Sequence, residues 1–310
     1  MPDFGIFRGF NDKLFGNKLY AGQLPTQLGT IGSIVIPIAL LDLYPNAAAA
    51  YSLRKLRTLY TGSAIRVRRS SDNTEQDIGF NGINLDTSSL TSFCGSGNGF
   101  VTTWYDQSGN NLNFYNSTAV YQPQVYSNGT ILKMQFVNNG LRTDNSTLFK
   151  NNKFTLIVWH RRNSLVNFGK VFCIDYRANG TWSPPYSSIE LSTSQGSTRQ
   201  IYNNIVVSGT GYAISSDSVI NDNVWSNLAI RYNGTTLNSY VNGLKQTNQT
   251  SISGVIDYGT SNQMAVGFRS SFSPNDERFN GLLDFCILYP RDLTDSEIQS
   301  IYTLTSSNYI

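Results

Sequence analysis

From residue 97 onward, apolar and polar side chains alternate in short runs separated by polar turns, which is the period of half-buried strands. GFVTTWYDQSGN gives a strand over Phe100 to Tyr105 and then a turn. KFTLIVWHRR, residues 153–162, predicts a strongly apolar strand with Phe154, Leu156 and Val158 on one face. WSNLAIRY and TLNSYVN predict a hairpin that turns at Asn233-Gly234 and again at Asn242-Gly243, pairs favoured where two consecutive residues need positive φ. NQMAVGFRS and FNGLLDFCILYPR add two further strands. DLTDSEIQSIYTL closes the chain with a helix near 294–303, capped by Thr294 or Asp295, with Glu297 in its first turn. The expected fold class is all-β, a sandwich of two sheets.

The first third reads differently. Ala50, Leu53, Leu56 and Tyr60 recur at helical spacing after Pro45-Asn46, which predicts a short helix near 47–60. AIRVRR then predicts a strand, with Ile65 and Val67 pointing one way and Arg66 and Arg68 the other. The six cations between Arg54 and Arg69 are thereby divided between two elements, and Asp72, Glu75 and Asp77 follow to balance them. No stacking aromatics are interleaved, so the stretch reads as an ion-paired face and predicts no nucleic-acid partner. In residues 1–30, glycines break any helix between Phe4, Phe7, Phe10, Phe15 and Tyr20. They read as an irregular arm, lying either on its own domain or on a partner subunit. The division expected is an arm and anchoring segment over 1–44 and one domain over 45–310.

Composition narrows the chemistry. A net charge of +3 over 310 residues predicts no polyanion partner. Cys94, Cys173 and Cys286 are far apart and His160 is the single histidine, so no zinc site is expected. The thiols read as reduced, with one disulfide left open. The run IGSIVIPIALLDLY, 31–44, is too short to span a bilayer and is interrupted by Pro37; it reads as a buried strand or packing segment. The N-terminus lacks the basic and apolar regions of a signal peptide. WYDQSGN lacks the frame of a nucleophile elbow, and Gly95 to Gly99 is followed by no phosphate-binding lysine.

WSNLAIRYNGTTLNSYVNG, followed by MAVGF and FNGLLDFCILYPRDLTDSEI, resembles the closing strands of a laminin-G or concanavalin A-like jelly roll over residues 153–305. YSLRKLRTLYTGSAIRVRRSSD, with TTWYDQSGN after it, resembles the catalytic domain of the family 54 α-L-arabinofuranosidases over residues 45–110. Together they imply a concanavalin-like jelly roll. The second resemblance implies Glu190, in SSIEL, as a nucleophile and Asp276, in SFSPNDERFNG, as the acid, with Glu277 its neighbour and Asp175 lining the pocket. The chain departs from that family where Phe172-Cys173 replaces adjacent cysteines, and where Ser-Ser-Phe-Ser-Pro replaces a glycine-rich loop. Pattern alone reads Glu190 as an outward residue between inward Ile189 and Leu191, and Asp276 as a loop tip.

Sugar binding needs aromatic faces with amide or carboxyl partners. Tyr105, Asp106, Asp175, Tyr176, Trp182, Tyr186 and Asp276 supply them in loops and are the expected carbohydrate-binding residues. No cofactor is demanded; calcium on Asp106, Asp175 and Asp276 is allowed by their oxygens and not required by their spacing. The arm, the missing signal peptide and the lectin-like body resemble a bacteriophage virion component. The leading expectation is a tail or head fibre or spike, trimeric, made in the host cytoplasm and assembled into the virion. It would contact other virion proteins through its arm and bind a host surface glycan. A purely structural decoration protein and an arabinofuranosidase-like retaining hydrolase are the alternatives.

Overall fold

The structure, a computed structural model, describes residues 29–31, 34–36, 39–129, 132–143, 150–176, 184–261, 263–269 and 277–309. The main strands in chain order are β1 (Ala49–Ser52), β2 (Ile65–Arg69), β3 (Glu75–Ile78), β4 (Asn98–Trp104) and β5 (Met134–Val137). They continue as β6 (Phe154–Arg162), β7 (Lys170–Asp175), β8 (Ser187–Ser192), β9 (Gln200–Val207) and β10 (Thr210–Val219). The last are β11 (Trp225–Tyr232), β12 (Thr236–Val241), β13 (Leu244–Ser251), β14 (Met264–Val266) and β15 (Asn280–Tyr289).

Antiparallel pairing arranges these strands in two layers. One runs β13-β12-β11-β6-β15, and β1 and β5 share the far edge of β15. The other runs β10-β9-β8-β7-β14, continues through Leu141–Arg142 and Phe114–Tyr115, and ends β4-β2-β3. The layers face each other. Phe154, Leu156 and Val158 of β6 and Leu283, Cys286 and Leu288 of β15 share one core with Ile189 and Leu191 of β8 and Ile201 and Ile205 of β9. This is the expected all-β, two-sheet, concanavalin-like jelly roll.

The first layer is buried on its outer face as well. Ile157 and Trp159, with Phe285, Ile287 and Tyr289, pack under Leu40 and Leu41 of α1 (Leu40–Leu43) and under Ile298 and Ile301 of α3 (Asp295–Ser306). Double burial makes β6 read as an unbroken apolar run. The helix α3 starts as its sequence predicts: Thr294 Oγ1 accepts from the Glu297 amide at 3.2 Å, and Glu297 Oε2 accepts from the Thr294 amide at 2.7 Å.

The helix expected near 47–60 is absent, and β1 takes its place. Ala49, Tyr51 and Leu53 enter the core between the layers, and Ala50 and Leu56 enter the outer core. Burial thus alternates with period two; four consecutive alanines concealed that period, and hydrogen bonding to β15 decides the conformation. A helix not foreseen, α2, spans Thr87–Cys94 under an Asp86 cap that accepts from the Ser89 amide at 3.0 Å. The Asn242-Gly243 turn has positive φ at both residues, as expected. At Asn233-Gly234 only the glycine does, because Asn233 Oδ1 closes the turn by accepting from the amides of Thr235 and Thr236 at 2.9 and 2.8 Å.

In the cationic stretch Arg66 and Arg69 meet the acids expected to balance them, while Arg57 and Arg68 donate to uncharged partners, the Ser108 carbonyl and the side-chain oxygens of Gln122 and Asn73. Arg66 meets Glu75 at 2.6 Å and Asp77 at 3.2 Å, and Arg69 meets Asp72 at 2.6 Å. Cys94, Cys173 and Cys286 are free and buried. No helix among the described residues is long and apolar enough to cross a membrane. Residues 29–31 and 34–36 pair as a small hairpin, and the rest of the expected arm up to residue 28 lies outside the described residues.

The edge strands β10 and β13 lie side by side without a ladder between them. Side chains stitch them instead. Asp217 Oδ2 accepts from the Thr247 and Asn248 amides, Asn248 Nδ2 donates to the Ser215 carbonyl at 3.2 Å, and the Ser218 amide donates to Gln246 Oε1 at 2.9 Å.

Candidate functional site

On the face of the second layer away from the inter-layer core, the register of β7, β8 and β9 assembles two rows. Cys173, Glu190 and Asn204 are direct neighbours in one, and Lys170, Ser192 and Tyr202 in the other. Ile189, Leu191, Ile201 and Ile205 alternate with them into the core, so the polar rows follow from the pleat.

The rows hold a charged cluster. Lys170 Nζ donates to Glu190 Oε1, lies 3.3 Å from Ser192 Oγ and 3.4 Å from Glu277 Oε2. Arg269 reaches Glu277 at 2.7 Å, and Ser192 Oγ donates to Glu190 Oε1 at 2.8 Å. Lys170 is 1% exposed and Glu190 5% exposed. Glu190 does leave the inter-layer core while Ile189 and Leu191 enter it, as the alternation predicts, but its side of the sheet is covered rather than open to water, and the ion pair makes that burial tolerable. Burial would raise the Glu190 pKa, but the Lys170 ammonium, Arg269 and the Ser192 hydroxyl outweigh it and hold the carboxyl below the usual glutamate range. Burial and the Glu190 and Glu277 charges push the Tyr202 phenol up to about 12, so it keeps its proton at neutral pH. Burial and the Asp175 charge raise the Cys173 thiol, which makes it a poor nucleophile.

Glu190, Tyr202 and Asn204 open onto a cavity of about 440 Å³ whose other walls are Pro184, Pro185, Tyr186 and Thr210. Its size and its mixture of ring faces, amide and carboxylate suit a small polar ligand. The Arg269 guanidinium lies 4.9 Å from the centre of the Tyr186 ring.

Of the residues expected to bind carbohydrate, Tyr186 lines this cavity. Asp175 is buried at the end of β7, and the adjoining Tyr176 donates its hydroxyl to Asp257 at 2.8 Å. Trp182 and Asp276 lie outside the described residues. Tyr105 and Asp106 stand elsewhere. The Tyr105 hydroxyl donates to Asp77 at 2.8 Å, and Asp106 is buried beneath β1. Both Asp106 oxygens accept from the protein, Oδ1 from the Ala50 and Ser108 amides and Oδ2 from the Ser108 hydroxyl and Leu112 amide. That carboxylate is committed to the fold, so the proposal that it binds sugar or calcium is corrected. Among the described residues no three His, Cys, Asp or Glu side chains gather in a way that could hold a metal ion. His160 is buried in β6 with Nδ1 on the Ser226 carbonyl at 3.2 Å, away from the cluster's partners.

Lys170, Ser192, Tyr202, Asn204 and Arg269 escaped sequence reasoning. A signal existed: KVFCID and SSIEL are adjacent apolar strands carrying opposite charges, which is the pattern of a buried ion pair.

Residues 135–299 match the family model described as the concanavalin A-like lectin/glucanases superfamily, and residues 42–134 match that described as α-L-arabinofuranosidase B, catalytic. No curated protein sequence matches the chain. Among solved structures, an arabinofuranosidase complexed with arabinofuranosyl-α-1,2-xylobiose is 16% identical with a TM-score of 0.64, over 88% of this chain and 65% of that one. A family 54 α-L-arabinofuranosidase soaked with a cyclic sulfate inhibitor is also 16% identical, with a TM-score of 0.63 over 88% of this chain and 66% of that one. The chain spans just under two thirds of these enzymes, and at that identity the likeness is one of fold.

Proposed function

The chain belongs to the concanavalin A-like lectin/glucanases superfamily, and from that premise we propose that it binds a glycan in the cavity faced by Glu190. The observation that carries this reading is the pairing, in one cavity, of two tyrosine rings with an amide and a buried carboxylate held ready by Lys170. Rings cover the apolar side of a sugar, and fixed acceptors take its hydroxyls without reorganising. A glycan array tests it. The wild type should retain a definable set of glycans, and Tyr186→Ala should weaken that retention by about tenfold or more, roughly the loss of one stacked ring. Undiminished retention by the variant would remove the cavity from the proposal.

Hydrolysis is the second reading, supported by the arabinofuranosidase-like segment and by a Glu190 carboxylate held in the form a nucleophile needs. It also needs a proton donor across the bond. Glu277 is committed to Arg269 and Lys170, which leaves that role to Asp276. Release of 4-nitrophenol from its α-L-arabinofuranoside, lost in Glu190→Gln, would establish hydrolysis; no release by the wild type would end it.

The setting we propose is a bacteriophage fibre or spike, trimeric, with residues 1–44 as its anchor. The support is the glycine- and aromatic-rich composition of that arm. Particles assembled with a chain lacking residues 1–30, which leaves Leu40 and Leu41 in the outer core, should carry none of the domain, and normal incorporation would refute the anchoring role.

A further inference from the structure

Glu190 presents its two oxygens unequally. Oε1 takes both the Lys170 ammonium and the Ser192 hydroxyl, while Oε2 has no partner among the described residues, although Glu190 lines the cavity. Lys170 does not line it. An ammonium has three donor hydrogens, and Glu190, Ser192 and Glu277 surround this one, so it has none left to offer a ligand. Among the described residues no lysine or arginine lines the cavity, and Arg269 beside it is paired with Glu277. Among the described residues, the charge that lines the cavity is the free oxygen of Glu190.

We infer that Lys170 is a positioning residue that sets specificity: with Ser192 it clamps Glu190 by one oxygen and leaves the other as a fixed anionic acceptor. The site thereby takes sugars that offer hydroxyl or ammonium donors and rejects those carrying a carboxylate or phosphate. This rests on the cavity being the glycan site. The chemistry follows from Coulomb repulsion: a uronate in a water-poor cavity would bring a second carboxylate against Glu190 with no available counter-ion among the described residues. Tyr202, which keeps its proton, adds a donor that neutral sugars can use. Without Lys170, a buried carboxyl is expected to take up a proton rather than stay charged.

The test is an array pairing neutral oligosaccharides with counterparts whose C6 hydroxymethyl is oxidised to carboxylate. It is read for wild type, Glu190→Gln and Lys170→Met at about pH 5 and about pH 8, a span in which an ordinary glutamate stays ionised. The wild type should prefer the neutral member by about tenfold or more at both values, and Glu190→Gln should bring that ratio below about threefold. Lys170→Met should bind neutral members well only at the higher pH, because the freed carboxyl becomes protonated as pH falls. In parallel, ¹³C NMR should place the Glu190 carboxyl midpoint, assigned by its loss in Glu190→Gln, below the usual glutamate value in wild type and at least about one pH unit higher in Lys170→Met. Equal binding of uronates by wild type, an unchanged ratio in Glu190→Gln, or an unmoved midpoint in Lys170→Met overturns the inference. If the wild type retains no glycan at all, the binding reading fails while the midpoint still decides whether Lys170 clamps Glu190. If Lys170→Met does not fold, Ser192→Ala, which removes the clamp's other donor to Glu190 Oε1, takes its place in the midpoint measurement, and an unmoved midpoint there overturns the clamp.

Discussion

Lowering the pH from about 7 to about 5 should reduce the unfolding free energy by about 2 kcal/mol, and most of that loss should vanish in His160→Phe. His160 is fully buried in β6, with Nδ1 at the Ser226 carbonyl and Nε2 without a partner among the described residues. Burial pushes its pKa down to about 4 against the upward pull of the Ser226 carbonyl, and the Arg162 charge adds a smaller downward push. The sign is fixed by proton counting. The unfolded chain binds a proton on this ring near pH 6.5 and the folded chain does not until about 4, so stability falls as pH drops through that window. A separation of about two and a half units at 1.36 kcal/mol per unit gives about 3 kcal/mol in all, of which about 2 kcal/mol is lost by about pH 5. It is the single histidine of the chain, and no other side chain has its ordinary pKa between about 5 and 8. Glu190, held low against its burial by Lys170, and Glu297, held low against its burial by Arg291 and its cap, add losses that set in as pH falls through the ordinary glutamate range, below the window in which His160 is read. Urea denaturation at a series of pH values on both proteins measures the difference; parallel curves would refute the assignment.

Asp106→Ala should cost about 4 kcal/mol, with glycan retention otherwise following the surviving folded fraction. Its carboxylate ties the amides of Ala50, Ser108 and Leu112 together, at 2.9, 2.8 and 3.1 Å, and holds the Ser108 hydroxyl at 2.7 Å. These bonds connect β1 to the loop that follows β4. Truncation leaves buried donors unsatisfied, each costing about 1–3 kcal/mol, partly relieved by water. A shift of the denaturation midpoint worth less than about 1 kcal/mol would show that the loop repacks around the loss.

These two residues show what was legible in the chain. The strands of the C-terminal two thirds were readable because alternate side chains enter the inter-layer core, as Phe154, Leu156 and Val158 do. The turn at Asn242-Gly243 was readable because its φ values leave few residue choices. The segment 47–60 was misread because alanines carry no periodicity and Leu53 and Leu56 enter different cores. The helix Thr87–Cys94 was missed because its serines and threonines resemble loop composition, although Asp86 and Ser89 carry a cap signal. At the site, Glu190 was reached through family resemblance alone. Its partners were not, since Lys170, Ser192 and Tyr202 meet through the register of three strands, which local pattern does not encode. Asp106 attracted attention as an acid in a polar turn, and the same turn is what places it under β1.

The seam between β10 and β13 bears on how such domains live together. On two rims that in an open sheet would recruit any extended neighbour, the amides of Thr247, Asn248 and Ser218 and the carbonyl of Ser215 are here occupied by Asp217, Gln246 and Asn248 of the same molecule. Copies held at high density on one scaffold would then stand shoulder to shoulder without fusing into continuous sheet.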